Sequence, residues 1–246
     1  MIEAIFLDAG GVILDESSFD IAKAEIITNI INKNKDYNIN EYWNDTNEAV
    51  FRFVSSTYEY VLYKNIKNHE KCKNALIEFK TIWKELKMEY KPMIGLEDLL
   101  KSLSKNYKIG ILGQYDASLV EFLKIQKLDV YFSFMETQEK YETTKPDPRY
   151  YLEILKNANM KPENCIMIGD RIDKDIYPAN VINMKNIRIK TGIHKNQEPR
   201  IFIEIPNYTV ESLSEITNEL IEEIDKNGFN LDQNLWKRKN LTTAST

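Results

Sequence analysis

Ile5-Phe6-Leu7-Asp8-Ala9-Gly10-Gly11-Val12 is the stretch on which the reading of this chain turns. A short apolar run meets an aspartate and then a glycine pair, the pattern of a buried strand opening into a tight loop. Ile109-Gly110-Ile111-Leu112-Gly113-Gln114 and Ile166-Met167-Ile168-Gly169-Asp170 repeat the design, with Asp175 following the second of them. Lys145-Pro146-Asp147-Pro148 lies between those two. Apolar runs ending in polar or glycine turns are how parallel strands deliver functional groups to their carboxyl edge.

Outward from these stretches, the texture of the chain divides. From Glu16 to Tyr90 apolar residues recur at helical spacing, as in Ile21, Ala24, Ile27 and Ile31, and again in Leu76, Phe79, Ile82, Trp83 and Leu86. Gly and Pro are almost absent there, so the region reads as packed helices without strands. After Pro92 the pattern alternates. Helices are expected at 95–104, 116–126, 148–157 and 174–180, and strands at 108–112, 131–135, 166–168 and 187–190. Thr209-Val210 and a helix over 213–225 close the alternation. Strands alternating with helices imply βαβ units and a parallel sheet covered on both faces. The expected architecture is α/β, a doubly wound, Rossmann-like parallel sheet formed by 1–15 and 91–226. A helical cap domain, 16–90, is inserted after the first strand and is expected to act as a lid. Residues 227–246 form a polar C-terminal tail with Trp236 isolated in it.

The composition bounds the possible functions. At 246 residues, 43% hydrophobic and 29% charged, the chain is ordinary globular material rather than a disordered one. A net charge of −5 with scattered basic residues disfavours a nucleic-acid surface but leaves room for a local anion pocket. Cys72 and Cys165 are the only cysteines, and Cys165 opens an apolar run as a small buried hydrophobe would. No basic leader precedes Asp8, and no stretch reaches the roughly 20 apolar residues of a membrane span. A cytoplasmic protein, monomer or homodimer, without membrane or nucleic-acid partners, is the expectation.

Several residues have the right type and setting for chemistry. A carboxylate such as Asp8 at the end of a buried strand is costly unless a metal, a lysine or backbone N–H groups compensate it. Alone, Asp8 reads equally well as a turn cap. Asp170 ends an apolar strand and Asp175 falls in the first turn of the next helix. Hard divalent cations take such oxygens, although acidic groups near a helix start also suit the dipole. Asp173 reads as the N-cap of that helix. Lys145 precedes a proline-stiffened loop that starts a helix near Pro148. Arg52, the one arginine between 16 and 90, either packs at the surface or reads a remote anionic group of a substrate. His69 and His194 have no partner pattern and read as surface residues.

Together these motifs resemble the haloacid dehalogenase-like superfamily of aspartate-nucleophile hydrolases, in the branch with a helical type 1 cap. The resemblance covers residues 1 to about 226. It implies that Asp8 is the nucleophile and that Lys145 neutralises it and the transferring phosphoryl group. It also implies that Mg²⁺ is held by Asp8, the Gly10 carbonyl, Asp170 and Asp175, and that a small phosphorylated molecule is the substrate. Two positions depart from the pattern. Gly10 stands where the phosphatases of the superfamily carry an acid, and Gly113, followed by Gln114, stands where a Ser or Thr is usual. Backbone N–H groups at Gly113 and Gln114 can still meet a phosphate, and the Gln114 side chain can donate.

A positioned acid typically contributes 10²–10⁴-fold, so Gly10 leaves binding intact and impairs proton transfer. Three outcomes fit. One is a Mg²⁺-dependent phosphate-ester hydrolase acting through an aspartyl intermediate, slowly or on good leaving groups. Another is a C–P or C–halogen hydrolase of the same superfamily, and the third is a catalytically impaired regulatory protein that binds a phosphorylated ligand. The retained Asp8, Lys145, Asp170 and Asp175 favour the first.

Overall fold

The structure, a computed structural model, describes residues 1–86 and 88–227; the tail expected at 227–246 lies, beyond its first residue, outside the described residues. The described residues form two compact units, one of residues 1–15, 92–191 and 198–227, the other drawn from 16–91 and 192–197.

The first unit is built on a six-stranded sheet in the order β3-β2-β1-β4-β5-β6. Its strands are β1 (Ala4–Leu7), β2 (Lys108–Ile111), β3 (Phe132–Phe134), β4 (Cys165–Gly169), β5 (Lys185–Ile189) and β6 (Tyr208–Val210), and every pairing is parallel. β1 and β4 are buried along their whole length, which explains their unbroken apolar character. Leu7 is in register with Ile111 of β2 on one side and Ile168 of β4 on the other. The chain leaves β1 outward to β2 and β3, then returns to the far side of β1 at β4. That reversal makes the carboxyl ends of β1 and β4 the place where such a sheet opens a crevice.

Helices α5 (Leu96–Leu103), α6 (Ala117–Ile125), α7 (Pro148–Asn157), α8 (Tyr177–Val181) and α9 (Asn218–Asn227) cover the sheet. Asp147 caps α7 by accepting from the Arg149 N–H at 2.9 Å, with Pro148 in the first turn. Tyr150, Tyr151, Ile154 and Leu155 of α7 pack with Phe6, Met167, Leu112 and Ala179 into one side of the core.

Two expected helices take a different form. The one anticipated at 174–180 begins instead as a wide turn over Ile172–Ile176, and only then becomes α8. The Ile176 N–H reaches back to the Arg171 carbonyl at 3.2 Å, a π-type span, and Pro178 lacks a donor to tighten the next turn. Asp173 is therefore not an N-cap; it forms an ion pair with Arg171 at 2.7 Å. The last helix does not run from 213: a single 3-10 turn at Leu213–Glu215, closed by a Ser212–Glu215 capping box, precedes α9.

The second unit holds α1 (Ser17–Asn32), α2 (Ile39–Phe51), α3 (Thr57–Asn65) and α4 (His69–Glu85). Ala24, Ile27, Ile31, Val61, Leu62, Cys72 and Phe79 form its core. Ile21 and Leu86, which share the helical spacing of that core, are exposed; Leu86 lies at the C-terminal end of α4. Its polar centre is Asp45, which accepts from Tyr37 Oη at 2.8 Å, Asn65 Nδ2 at 2.6 Å and Lys64 Nζ at 2.6 Å. His69 is exposed, but His194 is buried, in a run of turns at 192–197 where its carbonyl accepts from the Gln197 N–H at 3.0 Å. Nothing in the residue types around His194 marks that burial, because it comes from tertiary packing of the turn. Among the described residues no helix is long and apolar enough to cross a membrane.

Candidate active site

Asp8 leaves β1 with its backbone still in the sheet: its N–H donates to the Ile168 carbonyl at 2.9 Å. The following turn is closed by the Leu14 N–H on the Ala9 carbonyl at 2.9 Å and the Gly11 N–H on the Leu14 carbonyl at 3.0 Å. Thr191, just past β5, donates its hydroxyl to the Gly11 carbonyl at 2.7 Å. The turn carrying Asp8 is thus tied to the ends of two neighbouring strands.

Lys145 reaches into this edge from the loop before α7. Its Nζ donates to Asp8 Oδ1 at 2.6 Å and to Asp175 Oδ1 at 2.6 Å, and its side chain is 2% exposed. Burial opposes a charge on Lys145, but the carboxylates of Asp175 and Asp8 outweigh it and hold the ammonium well above its ordinary range. Asp175 is also pushed upward, to about 6, by its burial and by the negative charge of Asp8. Its second oxygen accepts from the Arg171 N–H at 2.9 Å, a bond that the wide turn at 172–176 makes possible. Tyr151, fully buried, lies with its ring 5.8 Å from Lys145 Nζ and donates its hydroxyl to the Lys174 carbonyl at 2.6 Å.

Asp170 continues β4 and is buried. One carboxylate oxygen each from Asp8, Asp170 and Asp175 lie within 4.8 Å of one another. An all-carboxylate set suits a hard cation such as Mg²⁺, which takes a few protein oxygens and fills its shell with water and substrate, and does not suit a soft metal. The residues present fit the ion that the sequence motifs imply.

Gly113 sits against the same turn. A Cβ there would stand 2.8 Å from Asp8 Oδ1 and 2.9 Å from the Ala9 nitrogen. The side chain usual for the superfamily at this position would crowd the Asp8 carboxylate and the Ala9 backbone. Gln114 is exposed. Arg52 belongs to the helical unit, where it closes α2 and pairs through Nε with Glu48 at 2.8 Å, its side chain 63% exposed. Glu48 also accepts from Tyr60 Oη at 2.8 Å and from Lys64.

Sequence reasoning passed over Tyr150, Tyr151, Thr191 and the Arg171 N–H. The two tyrosines follow Lys145-Pro146-Asp147-Pro148 within the first turn of α7, the only trace of them in the chain's order. Aromatic residues at that spacing read as core, and core they are, but their hydroxyls hold loop backbone at the site.

Known proteins share this fold. Residues 6–189 match the family model described as haloacid dehalogenase-like hydrolase. A glyceraldehyde 3-phosphate phosphatase from Methanocaldococcus jannaschii is 25% identical over 226 residues, 89% of this chain and 96% of that protein. One from Methanopyrus kandleri is 28% identical over 134 residues, and the aligned part spans only 57% of its length. Among solved structures, a HAD-superfamily hydrolase of subfamily IA from Geobacter sulfurreducens superposes with a TM-score of 0.62 at 20% identity, covering 90% of this chain and 95% of the other. A magnesium-bound HAD hydrolase from Bacillus subtilis gives 0.60 at 16% identity, covering 87% and 96%. With the parallel sheet, the strand order and the motifs in place, this chain belongs to the haloacid dehalogenase-like hydrolases.

Proposed function

We propose that the protein is a phosphate-ester hydrolase that acts on a small phosphorylated metabolite through an aspartyl intermediate on Asp8. The observation that carries this reading is Lys145, buried and shared at 2.6 Å between Asp8 and Asp175. A buried ammonium between two carboxylates, at a strand edge beside a third, is an expensive arrangement to keep for stability alone. It is suited to a reaction in which negative charge arrives and moves.

In this reading an Asp8 carboxylate oxygen attacks phosphorus, the bond to the ester oxygen breaks, and that oxygen leaves with the electron pair. Water then attacks the aspartyl phosphate, releasing inorganic phosphate and restoring Asp8. Lys145 offsets the charge of the nucleophile and of the phosphoryl oxygens beside it. Asp8, the Gly10 carbonyl, Asp170 and Asp175 would hold Mg²⁺, which when bound supplies further positive charge facing the transferred group. Arg171 keeps Asp175 in place through its N–H. Gly10 brings no acid to the leaving oxygen, so the site favours leaving groups that depart as stable anions. The names of the archaeal relatives make triose phosphates the first natural compounds to try.

The deciding experiment is phosphate release from a panel of aryl, acyl, triose and alkyl phosphates, with Mg²⁺ and with a chelator, repeated with Asp8→Asn. Metal-dependent release abolished in the variant is expected. Release that survives Asp8→Asn would remove the aspartyl mechanism, and no release from any compound would favour a binding role.

A further inference from the structure

The absence of a hydroxyl at Gly113 raises the question of what else faces a bound phosphate on that side of Asp8. The Gly113 carbonyl accepts from Tyr150 Oη at 2.8 Å, and Tyr150 has no exposed surface. The ring is held edge-on by Tyr141, centroids 5.3 Å apart at 87°, and by Tyr151, 6.3 Å apart at 83°. Burial pushes the Tyr150 hydroxyl up to about 12, so it stays a donor. In a trans peptide the C=O and the next N–H point in opposite directions. Fixing the Gly113 carbonyl on α7 therefore aims the Gln114 N–H away from α7. That N–H has no acceptor among the described residues. The peptide borders Asp8 directly, since the side-chain position of Gly113 lies 2.8 Å from Asp8 Oδ1.

We propose that Tyr150 is a positioning residue: by gripping the Gly113 carbonyl it presents the Gln114 amide as the phosphate donor that takes over from the missing hydroxyl. The inference rests on the phosphatase reading for its ligand and goes beyond it in naming a residue that touches no substrate. α7 then carries two functions. The loop before it delivers Lys145 to Asp8 Oδ1, and its first turn fixes the Gly113 peptide beside the same oxygen. One rigid helix start would keep both at a constant spacing.

The test uses the full chain in Mg²⁺ with inorganic phosphate as the probe. Titration calorimetry compares wild type, Tyr150→Phe and Tyr141→Phe, whose hydroxyl bonds Glu136 instead. Tyr150→Phe is expected to weaken phosphate binding roughly tenfold, about one hydrogen bond's worth, to raise KM more than it lowers kcat, and to leave Tm within a few degrees. Tyr141→Phe is expected to leave phosphate affinity unchanged. A purely structural Tyr150 would lower Tm without changing the affinity of the folded protein, and that result overturns the proposal. Should Tyr150→Phe fail to fold, the wild-type Gln114 amide resonance decides: it must shift on phosphate titration, and indifference overturns the role. Protein that binds phosphate through Gln114 but cleaves no ester removes the hydrolase reading and leaves Tyr150 in its role. Ester hydrolysis unaffected by Tyr150→Phe does the reverse, and wild type that binds no phosphate overturns both.

Discussion

Gly169 and Asp175 share space that only a glycine leaves open: a Cβ on Gly169 would fall within the Asp175 Cβ and Cγ and stand 2.6 Å from its Oδ2. Asp175 cannot withdraw cheaply, because one of its oxygens is bonded to Lys145 and the other to the Arg171 N–H. Gly169→Ala is therefore expected to cost about 1–3 kcal/mol of stability, the range for overpacking a buried site, and to lower turnover by displacing Asp175. Denaturant titration together with a phosphate-release rate checks it; an alanine variant of wild-type stability and rate would contradict the packing.

Lys145 is the positive partner that Asp8 and Asp175 share at the strand edge. Lys145→Met leaves those carboxylates facing each other and is expected to destabilise the protein by about 3–5 kcal/mol, the cost of breaking a buried pair from one side. Lys145→Arg is not expected to restore activity, since a planar fork cannot occupy the position of a compact ammonium. Thermal unfolding and single-turnover rates of both variants test this.

Gly113→Ser puts back the residue type usual for the superfamily, yet it is expected to lower activity. Its Cβ would meet Asp8 Oδ1 at 2.8 Å and displace the nucleophile. A Gly113→Ser enzyme faster than wild type would show that the turn yields to the side chain.

Gly10→Asp supplies the acid absent from the site. On alkyl phosphates, whose leaving oxygens need a proton, a gain of about 10²-fold or more is expected. On aryl phosphates the gain is expected to be small. A plot of rate against leaving-group acidity, steep for wild type and flatter for Gly10→Asp, is the signature to measure.

In the helical unit the pH dependence of stability is expected to follow Asp45. Burial pushes its carboxyl upward, but the hydrogen bonds from Lys64, Asn65 and Tyr37 outweigh this and hold it below the ordinary range. A depressed folded-state pKa means that the contribution is complete above the unfolded value of about 4 and fades as pH falls through the folded value. Asp45→Ala is expected to cost about 2–3 kcal/mol at pH 7 and to flatten the acid limb below pH ~4. Urea unfolding of both proteins from pH 7 to pH 2 measures it.

The apolar runs at 4–7, 108–111 and 165–169, each closing on a glycine or aspartate, were legible because a parallel strand buried on both faces has little choice of residue. Asp8 was legible for a related reason, since charge at a buried strand end has to be compensated, whereas Lys145, Asp170 and Asp175 were singled out by the family resemblance. Asp173 and His194 were misread. Whether an aspartate caps a helix depends on the turn's hydrogen bonding, and whether a histidine is buried depends on what packs over it, and neither is local information.

Residue order by itself determined the strand-and-helix alternation, the helical insertion and the acids that gather at one sheet edge. It also showed that an acid at Gly10 and a hydroxyl at Gly113 are missing. Only the tertiary structure decided what a side chain at Gly113 would meet and what holds that residue's backbone. A Gly113 side chain would crowd Asp8 Oδ1 at 2.8 Å, and Tyr150, 37 residues further along, holds that glycine's carbonyl. Periodicity and motif spacing report the neighbours a residue has along the chain. Steric exclusion and backbone orientation are set by neighbours that folding brings in from elsewhere.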